Sequence, residues 1–167
     1  CMMQVLASCQ YPAYSSDISN AFAQSKRTTR EKKIAASLPQ GMTEAGYDLD
    51  PRQLLVAETE VYGLISGPSW LRQSLVADFE ALGYVRNPYD KCIMTLVDKN
   101  AKGNLVSGAL LIEVDDILEG GNAFHRQKMT QFYKKYKCGK CKRLQDLGAE
   151  GTLISGIRVM QWEDSSF

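Results

Sequence analysis

The chain lacks the features of a membrane or secreted protein. None of its apolar runs approaches the roughly 18 residues that a membrane helix needs, and no basic segment followed by an apolar core opens the sequence. The five cysteines form no regular framework, and their odd number favours free thiols in a reducing compartment. We therefore expect an intracellular chain that is not secreted and has no membrane partner.

Histidine is nearly absent, which restricts the metal sites that the chain can build. Cys138 and Cys141 have the spacing of half a zinc knuckle, but no second cysteine pair completes a set of four ligands. The single histidine, His125, lies upstream on a predicted helix. A zinc-stabilised interaction module built on Cys138 and Cys141 stays as a third hypothesis.

Neither sign of charge is in excess over the whole chain. Strong nucleic-acid binders often carry a clear basic excess. This chain has a net charge of only +1, so its total charge does not indicate which partner it binds. Basic residues do cluster locally, where they surround Glu31. Such a cluster either tracks phosphate groups or forms a solvated loop or helix face. Its members are Lys26, Arg27, Arg30, Lys32 and Lys33.

The chain of 167 residues, with 44% hydrophobic residues, fits one globular domain. Apolar residues at helical spacing predict three helices, and runs of branched and apolar residues predict the strands. An irregular, partly basic excursion separates the first strand from the second helix. This order predicts an α+β fold with an antiparallel sheet backed by helices. The predicted helices are 2–9, 70–82 (closed by Gly83) and 122–136; the strands are 14–23 (leading into a turn or helix), 91–97, 105–114 and 152–159; the hairpin connection is 98–104 and the excursion is 24–56.

Two adjacent aspartates follow the predicted strand 105–114. Asp115 and Asp116 would ordinarily be read as turn formers. Here they lie between apolar residues, so their charges would sit at the edge of a buried sheet and would need a partner. Asp17 lies on another predicted strand and can join them. Acidic oxygen ligands suit magnesium, and two such ions can activate a hydroxyl and stabilise a leaving pyrophosphate.

Six segments, in the right order, resemble the sequence blocks of reverse transcriptases from copia-type LTR retrotransposons. The first combines an aspartate with an aromatic residue five positions later, and the fifth is the paired-aspartate hairpin. Together they cover most of residues 15 to 160. They are Asp17-Ile18-Ser19-Asn20-Ala21-Phe22; Leu38-Pro39-Gln40-Gly41-Met42; Val61-Tyr62-Gly63-Leu64 with Gly67-Pro68 and Leu82-Gly83-Tyr84; Asn87 to Cys92; Leu110 to Leu118; and Asp146-Leu147-Gly148 with Ser155-Gly156-Ile157.

The resemblance implies a polymerase palm, with blocks over roughly 14–160 and a partial fingers insertion. Asp17, Asp115 and Asp116 would be the catalytic residues and would hold two Mg²⁺ ions, for which Mn²⁺ could substitute. Phe22 would lie under the sugar of the incoming nucleotide and exclude a 2′-hydroxyl, or would be a core residue. The other implied nucleotide-binding residues are Ile18, Gly63 and Pro68, the last two of which could instead cap a helix, while Tyr62 could pack in the core.

The resemblance also implies partners. These are an RNA or DNA template, a DNA primer, deoxynucleoside triphosphates, and the rest of a Pol polyprotein in a cytoplasmic particle or the nucleus. The family's fingers would precede residue 1, and thumb, RNase H and integrase regions would lie elsewhere in the polyprotein. Since the fingers grip the triphosphate, we expect the 167 residues alone not to polymerise.

The chain departs from the family pattern at three places. Glu113 replaces an aromatic residue two positions before the paired aspartates, and Ser66 replaces a glutamine of the nucleotide pocket. The basic cluster after the first block stands where the family tends to acidic residues. An alternative is therefore an inactive retroelement remnant that acts at most as a nucleic-acid or protein binding module.

Overall fold

The computed structural model describes residues 2–29, 31–39, 41–42, 45–47, 50, 52–99 and 105–167. Arg30, Gln40 and most of the predicted hairpin connection, 100–104, lie outside the described residues. The helices in the described part are α1 (Met2–Ser8), α2 (Ala21–Gln24), α3 (Gly67–Ala81) and α4 (Ala123–Lys135), with a 3₁₀ segment over Leu144–Glu150. The strands are β1 (Ala13–Asp17), β2 (Ala35–Ser37), β3 (Leu54–Val56), β4 (Tyr84–Arg86), β5 (Ile93–Asp98), β6 (Leu105–Glu113), β7 (Asp116–Gly121), β8 (Lys142–Arg143), β9 (Thr152–Ile154) and β10 (Ile157–Val159).

Six strands form one sheet in the order β4-β5-β6-β7-β1-β8. Every neighbouring pair in it is antiparallel. The fold therefore combines an antiparallel sheet with several helices, as the order of the predicted helices and strands indicates. The sheet matters for function because Asp17 ends β1, Asp116 begins β7, and Asp115 lies in the turn between β6 and β7.

Apolar residues cover the sheet on both faces. One cluster joins Leu75 and Phe79 of α3 and Phe132 of α4 to buried residues of the sheet. A second, smaller cluster packs Leu6 of α1 and Ile154 of β9 against the sheet. Burial of these side chains stabilises the fold by roughly 1.5–3 kcal/mol for each large one, and it fixes which face each strand residue presents.

The predicted caps mark the end of α3 and the beginning of α4, while α3 begins at Gly67, three residues before its predicted start. Pro68 stands in the first turn of α3, where its missing N–H costs nothing. Gly83 follows this helix at φ +100, a conformation that favours glycine. The side chain of Asn122 accepts hydrogen bonds from the N–H groups of Phe124 and His125 at 3.0 and 3.2 Å, which caps α4.

Two sequence predictions of local structure are wrong. Residues 152–159 form the antiparallel pair β9–β10 instead of one strand, because Ser155 and Gly156 both take positive φ, 49 and 76°, and reverse the chain. The excursion 24–56 is not wholly irregular, since β2 and β3 pair within it. None of the described helices is long and apolar enough to cross a bilayer.

Candidate active site

The strand pairing brings the three predicted metal-binding aspartates to one end of the sheet. Asp17, the last residue of β1, lies opposite Asp116, the first residue of β7, in the antiparallel register. The N–H of Ile18 donates to the carbonyl oxygen of Asp115 at 2.8 Å, which ties the turn before β7 to the end of β1. Residues that are far apart in the sequence therefore share one edge of the sheet.

The turn that presents Asp115 is strained. Val114 and Asp115 connect β6 to β7, and Val114 has φ +55. A β-branched residue in the left-handed region is a conformational outlier that costs on the order of 1–3 kcal/mol, and such strain concentrates at functional sites. The short turn leaves Asp115 exposed and Asp116 half-buried.

The carboxylates at this edge carry uncompensated negative charge. Burial, followed by the nearby carboxylates of Asp115, Asp17 and Glu113, raises the pKa of Asp116 above its ordinary value. Among the described residues, no lysine, arginine or histidine forms an ion pair with Asp17, Asp115 or Asp116. The edge therefore favours a cation.

Glu113, which departs from the family pattern, affects two neighbouring groups. Burial is the main cause of the raised pKa of Cys92, and Glu113 contributes to it. Glu113 is also the weakest of the influences that raise the pKa of Asp116. Glu113 is therefore close to both groups.

The segment after α4 bulges opposite Asp17. Ile18 pairs with Cys138 and Ser15 pairs with Lys142, so this segment has one residue more than β1 between the two pairs. The N–H of Gly139 donates to the carbonyl oxygen of Asp17 at 2.8 Å. Bulges re-aim side chains next to active sites, and this one places Gly139 beside the Asp17 carboxylate.

Both cysteines of this segment have thiols with a raised pKa, although Cys138 is only half-buried and Cys141 is exposed. Burial, then Asp17 and Cys141, raise the pKa of Cys138 to about 11, and burial also raises the pKa of Cys141. Metal binding needs the thiolate, which a raised pKa disfavours. Neither cysteine belongs to a group of three possible metal ligands among the described residues.

The acidic residues fit a partial magnesium ligand set rather than a closed cage. No three His, Cys, Asp or Glu side chains in the described ranges already surround one metal position. Magnesium commonly binds one or two carboxylates and completes its shell with water and substrate phosphates. Asp17 and Asp116, paired across two strands and without an ion-pair partner among the described residues, suit that kind of site.

A cavity of about 510 Å³ opens beside Asp115. The ring of Phe22 lines it and meets the ring of Tyr62 edge-on, with centroids 5.9 Å apart. A Cβ added at Gly67 would come within 3.1 Å of Phe22 Cε1. Phe22 therefore contacts Tyr62 and lies close to Gly67, at the wall of a cavity large enough for a nucleotide-sized ligand.

The other predicted nucleotide-binding residues lie outside the lining of this cavity. The side chain of Ile18 is 2% exposed and belongs to the core. Gly63 has φ +93 with open space around it, and Pro68 stands in the first turn of α3. The positions of Gly63 and Pro68 agree with their structural alternative, in which they shape the chain locally.

Two residues of this region differ from expectation. Tyr62 does not pack in the core, since 89% of it is exposed; its contact with Phe22 places it at the cavity rim. Ser66, which stands in the place of the family's glutamine, donates a hydrogen bond to the buried Glu60 at 3.0 Å. Apolar content alone predicted Tyr62 wrongly, because the loop before α3 leaves it on the outside.

A second, smaller cleft of about 80 Å³ lies on the other side of the aspartates. Asp17 and Asp116 line it together with Lys140, Lys142 and residues of β9. These lysines were not predicted as site residues, although their basic neighbourhood is visible in the sequence. A larger cavity of about 520 Å³ near Gln10 and Asp164 contains none of the predicted site residues.

A buried polar network is centred on Glu119 in β7, the strand that begins with Asp116. Glu119 of β7 is 0% exposed, and its carboxylate contacts Arg126 and lies 2.7 Å from Nε2 of His125. Tyr84 Oη lies 2.9 Å from Nδ1 of the same histidine. Tyr133 Oη donates to Glu119 at 3.4 Å. His125 is thus a partner of a buried acid, a role that its isolated position in the sequence could not reveal.

The basic cluster around Glu31 is partly neutralised. Lys26 forms an ion pair with Asp78 at 3.3 Å, and Arg27 pairs with Glu58 at 3.0 Å. Lys32 and Lys33 are exposed. The cluster therefore offers fewer free cations to phosphate groups than the sequence suggests.

No family model matches the chain, and no curated protein or solved structure matches it either.

Proposed function

We propose that this chain is the palm of an RNA-directed DNA polymerase of the copia-type retrotransposon class, and that it extends a DNA primer on a nucleic-acid template. The observation that carries the proposal is the pairing of Asp17 with Asp116 across β1 and β7, with Asp115 in the adjoining turn. The resemblance of the ordered sequence blocks and the antiparallel sheet with helices support it.

Asp17, Asp115 and Asp116 hold the divalent cations in this proposal. Mg²⁺, when bound, lowers the pKa of the attacking hydroxyl and stabilises the leaving pyrophosphate. The carboxylates contribute negative charge at an edge where no described lysine, arginine or histidine forms an ion pair with them. The tie between Ile18 and Asp115 keeps the two acidic segments together.

Phe22 selects the sugar. Its ring lines the cavity next to Asp115, so the face of a sugar that enters from the cavity meets an apolar wall. A 2′-hydroxyl against that ring would clash or lose its hydrogen bonds to water. Tyr62 and Gly67 limit the movement of the ring, which keeps this steric restriction in place.

Primer extension tests the proposal. A polypeptide that contains this chain should extend a DNA primer on an RNA template with Mg²⁺, and Asp115→Ala should lower the rate roughly 10³-fold, since metal-assisted charge stabilisation contributes several kcal/mol. Asp146→Asn removes an exposed carboxylate outside the site and should leave the rate unchanged. Equal extension by the Asp115→Ala and unmodified polypeptides would refute the assignment.

A further inference from the structure

Positive charge is concentrated in one part of the chain. Residues 120–145 contain eight lysines and arginines and no aspartate or glutamate, whereas the whole chain has 20 basic and 19 acidic residues. The remainder of the chain therefore has an acidic excess. Such segregation is typical of a surface that meets a polyanion.

Five of these eight cations are exposed and form no ion pair within the described part of the chain. Lys135 pairs with Asp78, Arg126 contacts Glu119, and Lys128 lies over the ring of Phe124 at 5.3 Å. The other five define what we call the basic edge. They are Lys134, Lys137, Lys140, Lys142 and Arg143.

The basic edge follows the border of the sheet past the carboxylates. It starts in the last turn of α4, continues through the bulge opposite Asp17, and ends in β8, which pairs with β1. Lys140 and Lys142 line the small cleft that Asp17 and Asp116 also line. A row of cations thus passes the carboxylates without forming an ion pair with them.

We propose that the basic edge binds the phosphate backbone of a nucleic-acid strand and leads it to the carboxylates. This inference rests on the proposed function, because it makes the strand that passes Lys140 and Lys142 the one that the carboxylates act on. Several cations along one segment can contact several backbone phosphates, and the acidic excess elsewhere discourages the strand from lying on the remaining surface.

Salt-dependent binding tests the proposal. Fluorescence anisotropy of a labelled DNA–RNA hybrid should report binding to the 167-residue chain that weakens steeply with salt. The variant Lys137→Ala/Lys140→Ala/Lys142→Ala should reduce the slope of log K against log salt by about 2 to 3, since each lost phosphate contact reduces it by about 1. A control with the same change of charge, Lys32→Ala/Lys33→Ala/Lys91→Ala, should change the slope by less than about 1.

The outcomes separate this inference from the proposed function. Asp115→Asn should bind the hybrid at least as well as the unmodified chain, although it should not support extension. If the three basic-edge substitutions leave the slope unchanged, or if the control lowers it equally, the basic edge is not the binding surface even where extension succeeds. Tighter binding to phosphatidylserine vesicles than to the hybrid, at equal phosphate concentration, would also overturn it.

Discussion

Gly139 lies directly against the carboxylate of Asp17. A Cβ at position 139 would overlap Oδ1 of Asp17 and would come within 2.9 Å of its Cγ. The Asp17 side chain is short, so its carboxylate could avoid a methyl group only by rotating away from its present position. Glycine at 139 therefore keeps Asp17 available at the end of β1.

The first prediction follows from this contact. Gly139→Ala should weaken Mn²⁺ binding roughly 10- to 100-fold, which is the usual effect of losing a neighbour that orients a metal ligand. Titration with detection of free Mn²⁺ by electron paramagnetic resonance measures it. In an Asp17→Ala background the added methyl has no carboxylate to displace, so Gly139→Ala should have little further effect. An equal loss in both backgrounds would mean that Gly139 acts in another way.

Strong periodicity and clear caps account for what the sequence predicts correctly. Helices α3 and α4 have one apolar face each, and Gly83 and Asn122 mark an end and a beginning. The hairpin of β6 and β7 follows from its apolar runs around two aspartates. The acidic edge was predicted because those aspartates interrupt a buried pattern that is visible locally.

Short or exposed elements account for what the sequence does not predict. Strand β8 has two residues, both basic, and exists because it completes the sheet beside β1. The bulge at Gly139 depends on that pairing, so the local sequence alone does not predict it. All three residues of β2 and of β3 are exposed, which leaves no alternation of apolar and polar residues to detect.

The second prediction concerns Asp116 and pH. Its pKa is raised above 3.8 in the folded chain, first by burial and then by Asp115, Asp17 and Glu113. The folded state therefore holds this proton more tightly than the unfolded chain. Without divalent cations, the contribution of Asp116 to the free energy of unfolding should fall as pH rises from 3.8 to the raised pKa, and should stay reduced above it.

Asp116→Asn should remove this penalty. Above the raised pKa it should stabilise the metal-free chain by up to about 1 kcal/mol, a modest value because solvent screens a partly exposed group. Urea denaturation across the pH range measures the effect, with Asp146→Asn as the control. A variant that is less stable than the unmodified chain at neutral pH, without cations, would contradict the prediction.

The third prediction concerns the buried network behind the site. Glu119→Ala leaves His125 and Arg126 without their shared acid, and should destabilise the chain by about 3–5 kcal/mol, as loss of one partner from a buried pair does. Glu119→Gln retains a carbonyl acceptor and should cost less. Urea denaturation measures both changes.

An exposed ion pair provides the matched control for this network. Glu80 accepts hydrogen bonds from Arg86 at 2.7 and 3.1 Å on the surface. Glu80→Gln should change the free energy of unfolding by less than about 1 kcal/mol. If Glu119→Ala costs no more than Glu80→Gln, the contacts of Glu119 with His125 and Arg126 do not stabilise the fold.

The last prediction concerns sugar selection by Phe22. In a polypeptide that contains this chain and extends primers, Phe22→Val should replace the ring at the cavity wall with a smaller side chain and so make room for a 2′-hydroxyl. The ratio of kcat/KM for deoxyribonucleotides to that for ribonucleotides should fall roughly 10- to 200-fold, the range that a steric pocket difference supplies. Gly67→Ala should change the ratio as well, because its Cβ would come within 3.1 Å of Phe22. Tyr89→Val is the control and should leave the ratio unchanged, since Tyr89 is 97% exposed and lies outside the cavity lining. An unchanged ratio for Phe22→Val, together with an unchanged rate for deoxyribonucleotides, would show that this ring does not meet the sugar.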